Sequence, residues 1–182
     1  IKASEEYALV TNEQLRYQMF TSLAYGATNL CYANYTPSWW KSNTSLWQST
    51  SSKVGGKTYL WDIAKQINDE IHALSDTFMK YESKGVSTFG SSVDLSLDRQ
   101  LKEQNERSAA RGYTAESIDG FADITTDGGL LCGGFLEKEG DGCAAMFVNQ
   151  LDPFTADADI TFTFRVTVPD ATVTAHHHGT SE

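Results

Sequence analysis

Three consecutive histidines, His176-His177-His178, are the residues whose type most readily suggests chemistry, and their spacing argues against it. Successive residues on a strand point to opposite faces, so three imidazoles in a row cannot converge on one metal ion without a loop. A polar run near the end of the chain is the plainer reading. Asp152, Asp157 and Asp159 are carboxylates of the kind that hold calcium, but no EF-hand spacing surrounds them. No metal and no cofactor are therefore expected. Cys31, Cys132 and Cys143 lack metal-like spacing, and an odd count does not make a disulfide framework. Cys132 and Cys143 flank a predicted turn at 139–142. With Gly140 and Asp141 at its centre, Cys143 would lie opposite Lys138 and Cys132 opposite Asn149, so the two thiols should not meet. Buried free thiols are expected. There is no Gly-x-Ser-x-Gly, no phosphate loop, no Gly-x-Gly-x-x-Gly and no His-Glu-x-x-His.

Charge narrows the partners. The 182 residues carry 14 Lys and Arg against 24 Asp and Glu, a formal net charge of -10. A nucleic-acid binder gains affinity by neutralising phosphates with basic side chains, so nucleic acid is excluded as a partner, and an anionic membrane surface is disfavoured for the same reason. No apolar stretch is long enough to span a bilayer. Neutral ligands, sugars among them, remain compatible. Hydrophobic residues at 40% and charged residues at 21% describe a soluble globular protein of one medium domain or two small ones.

The elements that must position any site follow from periodicity. Thr11 and Gln14 form a capping box for a helix over residues 11–25, with Leu15, Met19 and Leu23 in an apolar stripe beside Phe20 and Ala24, and Gly26 as terminator. A short strand is predicted at 29–35. Its core Leu30-Cys31-Tyr32-Ala33 is nearly continuous in apolar character, as in a parallel strand buried on both faces. A polar, aromatic loop follows: Pro37-Ser38-Trp39-Trp40, then a Ser/Thr-rich run with Trp47 and Gly55-Gly56.

The second helix is predicted at 59–81. Leu60, Ile63, Ile67, Ile71, Leu74 and Phe78 share one face at spacings of three and four, and His72 sits beside that stripe, partly buried. Residues 83–120 read as a polar connector, with a thin-faced helix at 97–110. From Gly129 the pattern becomes strands: 130–137 and 143–149 around the Glu139-Gly140-Asp141-Gly142 turn, then strict alternation from Ile160 to Val168. Three to five strands are expected over 121–175.

A lone strand between two helices cannot make a parallel sheet, because it has no neighbour to pair with. Either it joins the strand-rich region or its neighbours lie on other chain. Arg16-Tyr17-Gln18-Met19-Phe20-Thr21-Ser22-Leu23-Ala24-Tyr25-Gly26-Ala27 resembles the helix before the eighth strand of β-galactosidase-like glycoside hydrolases. Asn34-Tyr35-Thr36-Pro37 is similar to the Tyr-Trp-Thr-Pro that often follows that strand, with tyrosine in place of tryptophan. Asn68-Asp69-Glu70-Ile71-His72-Ala73-Leu74 resembles their last barrel helix. Gly129-Leu130-Leu131-Cys132-Gly133-Gly134-Phe135 and Ala145-Met146-Phe147-Val148-Asn149 resemble the opening strands of their C-terminal domain.

The resemblance implies an α/β plus all-β chain: a partial (β/α)8 barrel, its last helix–strand–helix over residues 1–82, a connector over 83–120 and an antiparallel β-sandwich-like domain over 121–182. A whole barrel takes about 250 residues, so about 300 residues or more are expected upstream. Such hydrolases use two carboxyl groups at the ends of the fourth and seventh strands. Both would precede this chain, so no catalytic residue is assigned. Glu5 and Glu6 lie too close to Arg16, without a strand leading into them, and read as solvated acids ahead of a helix.

At the end of the eighth strand the resemblance places Asn34, Tyr35, Trp39 and Trp40 as substrate-binding residues. Aromatic faces stack on the C–H face of a sugar and an amide binds its hydroxyls. Tyr35 would be the platform beside the scissile sugar, with Trp39 and Trp40 at the mouth. Gln18 recurs with Arg16 in the resembling segment, and Arg16 is expected to pair with a carboxylate inside the barrel as a structural contact. The implied function is a C-terminal fragment of an O-glycosyl hydrolase, inactive alone, whose partners are a carbohydrate and the missing barrel portion or an oligomer partner. The alternatives are a non-catalytic carbohydrate-binding module and a purely structural one.

Overall fold

The structure, a computed structural model, describes residues 11–32, 56–90, 118–150, 159–177 and 180–181. Helix α1 spans Asn12–Ala24, and Thr11 caps it as its sequence predicts: the Gln14 N–H donates to Thr11 Oγ1 and the Thr11 N–H donates to Gln14 Oε1. At the other end the chain reverses through Gly26 at φ 86°, where the Gly26 N–H reaches Leu23 O and the Ala27 N–H reaches Ser22 O. These bonds satisfy carbonyls that the last turn would otherwise leave open. A side chain at Gly26 would also strike Ser83.

Helix α2 spans Tyr59–Phe78, three residues short of its predicted end. Met79 and Lys80 form a turn, and Tyr81 already belongs to strand β1, Tyr81–Phe89. The predicted connector therefore begins with a strand. Its polar Glu82, Ser83, Lys84, Ser87 and Thr88, and a bulge between Ser83 and Gly85, blur the period-two signal. Residues 97–110 lie outside the described residues.

Strands β2 (Phe121–Thr126), β3 (Leu130–Glu137), β4 (Cys143–Asn149) and β5 (Phe162–Val166) fulfil the predicted strand-rich region, followed by the short pair β6 (His176–His177) and β7 (Thr180–Ser181). The sheets are antiparallel, ordered β1-β3-β4, β2-β5 and β6-β7. The described strands close no barrel.

Hairpin β3–β4 differs from expectation by two residues of register. Leu136 faces Cys143, and Cys132 faces Phe147. The Glu137 N–H donates to Gly142 O and the Gly142 N–H donates to Glu137 Oε2, which closes a four-residue loop in place of a two-residue turn. The thiols still do not meet, and all three cysteines are free. Cys132 is buried and its thiol pKa is pushed far up by desolvation, whereas Cys31 is exposed, contrary to expectation.

Two clusters explain why β3 is buried along both faces. On one side Leu130 and Cys132 join Phe89, Ile118 and Ile124, with Phe121, Phe147 and Phe162 packed against them, so β2 and β5 share this core. On the other side Leu131, Val86 and Val148 pack on Ala24 of α1, with Tyr17, Phe20 and Met146 around them. Gly133 lets the helix approach: a Cβ there would lie 2.1 Å from Ala24 O. Helix α1 is thus covered twice, because Leu15 also packs with Ala64 and Ile67 of α2, flanked by Met19, Phe20, Ile63 and Ile71. His72 is exposed, since the groove beside it is open.

Candidate functional site

The junction between α1 and α2 brings together two of the segments that carry the resemblance, 16–27 and 68–74. Arg16 on α1 points one guanidinium nitrogen at Glu70 on α2, Nη1 lying 2.7 Å from each carboxylate oxygen. The Arg16 side chain is 21% exposed and that of Glu70 10%. The guanidinium also lies over the Phe20 ring, 5.1 Å from its centroid. Arg16 thus pairs with a carboxylate, that of Glu70 on the neighbouring helix, and not with one inside a barrel. Gln18, its neighbour in the motif, is exposed.

Between the helices, residues 29–32 run along α2. The Tyr32 hydroxyl donates to Asn68 Oδ1 at 2.8 Å. Burial pushes the Tyr32 phenol pKa up, which keeps that donor proton in place through the neutral range. Leu30 and Tyr32 are half-buried and line a groove with Leu23, Ile71 and Phe78, whereas Asn29 and Cys31 are exposed. This corrects one expectation. The described part of the predicted strand at 29–35 belongs to no strand and is covered on one side only. An apolar run states a demand for cover, but the helices answer it for Leu30 and Tyr32 and not for Cys31.

The predicted substrate-binding residues Asn34, Tyr35, Trp39 and Trp40 lie outside the described residues, as do Trp47, Glu5, Glu6 and His178. The junction delivers the chain to within two residues of Asn34. Its described groups hold and orient: the ion pair locks the helices, and the phenol–amide bond fixes where the following residues start. Asn68 and Glu70 fall in the resembling segment 68–74, which assigns them no role. Their position beside the Ile63–Ile67–Ile71 stripe is the signal that they face the partner helix. His176 and His177 are exposed on β6, and among the described residues no group of three His, Cys, Asp or Glu side chains could hold a metal ion. No protein-family model, curated protein or solved structure matches this chain.

The ion pair has a measurable weight. Arg16→Ala is expected to destabilise the chain by about 1–2 kcal/mol, because it leaves a largely buried Glu70 carboxylate without its guanidinium. In a double-mutant cycle with Glu70→Gln, a coupling energy near zero by urea denaturation would mean that the contact contributes nothing.

Proposed function

We propose that this chain is the C-terminal part of a carbohydrate-active, β-galactosidase-like glycoside hydrolase. In this reading residues 1–82 correspond to the last helix, strand and helix of a (β/α)8 barrel, the segment at 29–35 becoming its eighth strand only beside the rest of that sheet, and the antiparallel strands correspond to a β-sandwich-like domain. One observation carries the reading: two separate segments that resemble the family, 16–27 and 68–74, are joined by the Arg16–Glu70 ion pair. In this reading Tyr35 stacks on the sugar, Asn34 hydrogen-bonds its hydroxyls, and Trp39 and Trp40 line the mouth. The acid and the nucleophile come from chain outside these residues.

The test combines activity with binding. The 182-residue chain is expected to leave an aryl β-galactoside unhydrolysed while lactose changes its tryptophan fluorescence saturably. Tyr35→Ala should weaken that binding about tenfold, the scale of one lost aromatic contact. Hydrolysis by the chain alone, or lactose binding indifferent to Tyr35, would count against the assignment.

A non-catalytic carbohydrate-binding or structural module is the second reading. The core shared by Ala24, Leu131 and Val148 favours it, because it gives α1 a cover within the chain itself. The gene separates the two. Alternating strand and helix segments upstream of Ile1 support the barrel, and an initiation codon directly before Ile1 supports the module.

A further inference from the structure

An aspartate followed by glycine is open to attack by the backbone on its own side chain, because glycine has no Cβ to hold its amide nitrogen away from the carboxyl carbon. The sequence holds three such pairs: Asp119-Gly120, Asp127-Gly128 and Asp141-Gly142. All three lie at turns, and the structure treats them differently.

Asp119 and Gly120 are the central residues of a turn closed from both sides. The Ile118 N–H donates to Phe121 O and the Phe121 N–H donates to Ile118 O. Gly120 O accepts a further bond from the Thr167 N–H, and Gly120 sits directly against Cys143 Sγ, so the peptide has no room to rotate. At the second pair both reacting groups are engaged elsewhere. Asp127 Oδ1 accepts the Thr161 N–H at 2.8 Å, and the Gly128 N–H donates to Thr126 Oγ1 at 3.2 Å.

Asp141 is exposed in the β3–β4 loop, and its carboxylate makes no hydrogen bond or ion pair among the described residues. The next N–H, that of Gly142, donates to Glu137 Oε2 at 3.2 Å. Glu137 is half-buried and folded under the loop, against Gly140 and Gly142. A carboxylate therefore already lies within reach of the proton that the attacking nitrogen must lose, which is the geometry of a general base.

We propose that Asp141–Gly142 is a site of spontaneous isoaspartate formation in the folded chain, with the Glu137 carboxylate as its base. Gly142 N attacks Cγ of the uncharged Asp141 carboxyl. Its proton passes to Glu137 Oε2, and the carboxyl hydroxyl leaves with that proton as water, closing a five-membered succinimide. Water then opens the ring. Attack at Cγ restores aspartate, whereas attack at the main-chain carbonyl carbon leaves the backbone running through the side chain, one methylene longer. No other reactant is needed, because the water lost in the first step is regained in the second. The added methylene falls inside the loop that the Glu137 N–H bond to Gly142 O closes, so the product loosens that end of the hairpin. This modification is independent of the sugar reading.

The intact chain is aged at neutral pH and digested with trypsin, and mass-spectrometric fragmentation that distinguishes the two linkages reads each Asp-Gly pair. Isoaspartate is expected to accumulate at 141 at least about tenfold faster than at 119 or 127, a modest share of what one positioned base can supply. In guanidinium the three pairs should react at comparable rates, because the advantage belongs to the fold. Glu137→Gln keeps an acceptor for the Gly142 N–H but removes the base, and should slow conversion at 141 about tenfold. The comparison among the three pairs needs no substitution and stands even if that variant misfolds. The proposal is overturned if no isoaspartate forms at 141, if 119 or 127 converts as fast in the folded chain, if the preference for 141 survives in guanidinium, or if folded Glu137→Gln reacts at the parent rate.

Discussion

Gly133→Val is expected to destabilise the chain by about 3 kcal/mol or more, the upper range for overpacking a closed interior. A Cβ at this position would lie 2.1 Å from Ala24 O, 2.8 Å from Ala24 C and 3.0 Å from Ala24 Cα. All three are backbone atoms of α1, so no rotamer change relieves the clash. Either the helix lifts from the sheet or β3 bends. Lifting the helix uncovers Leu131, which is 0% exposed, and Val86, at 1%. In urea denaturation the midpoint should fall sharply with an unchanged slope, the signature of lost stability without a changed unfolded state. A midpoint equal to that of the parent chain would mean that α1 does not sit on β3 as described.

Ile67→Ala probes the other face of the same helix. Ile67 is 0% exposed and packs in one cluster with Leu15 and Ala64, with Met19, Phe20 and Tyr32 against it. Truncation removes buried methyl groups and leaves a cavity between two helices that cannot fully collapse. The expected loss is about 2–5 kcal/mol. Thermal unfolding followed by circular dichroism measures it, and a midpoint unmoved within error would place Ile67 outside the core. Because Asn68 is the next residue, the same substitution loosens the anchor of Tyr32. If Tyr35 contacts sugar, Ile67→Ala should also weaken lactose binding, whereas an exposed change such as Gln66→Ala should not.

The two positions stand differently in the sequence. Ile67 was visible there, because an apolar residue at every third or fourth position repeats along one helix face whatever the helix meets. Gly133 falls in the resembling segment 129–135, yet nothing along the chain shows that a helix backbone more than a hundred residues earlier needs its missing side chain. The capping box at Thr11, the limits of β3 and β4 and the alternation of β5 belong with Ile67. β1 belongs with Gly133. Five of its nine residues are polar, and it becomes a strand through pairing with β3 about fifty positions away.

The candidate site divides in the same way. That Arg16 pairs with a carboxylate was implied by the resemblance, but that Glu70 supplies it, 54 residues on, was not. The apolar run at 30–33 suggested cover on both sides, whereas the strand covered on both faces among the described residues is β3, with α1 on one side and β2–β5 on the other. The two helices, the capping box of α1 and the β3–β4 hairpin were legible in the chain, since these depend on local periodicity and turn chemistry. Only the tertiary structure decided which faces meet, the β3–β4 register, the double cover of α1 and the pairing of Arg16 with Glu70. Those depend on contacts between residues far apart in the chain, which a local pattern can require but cannot assign.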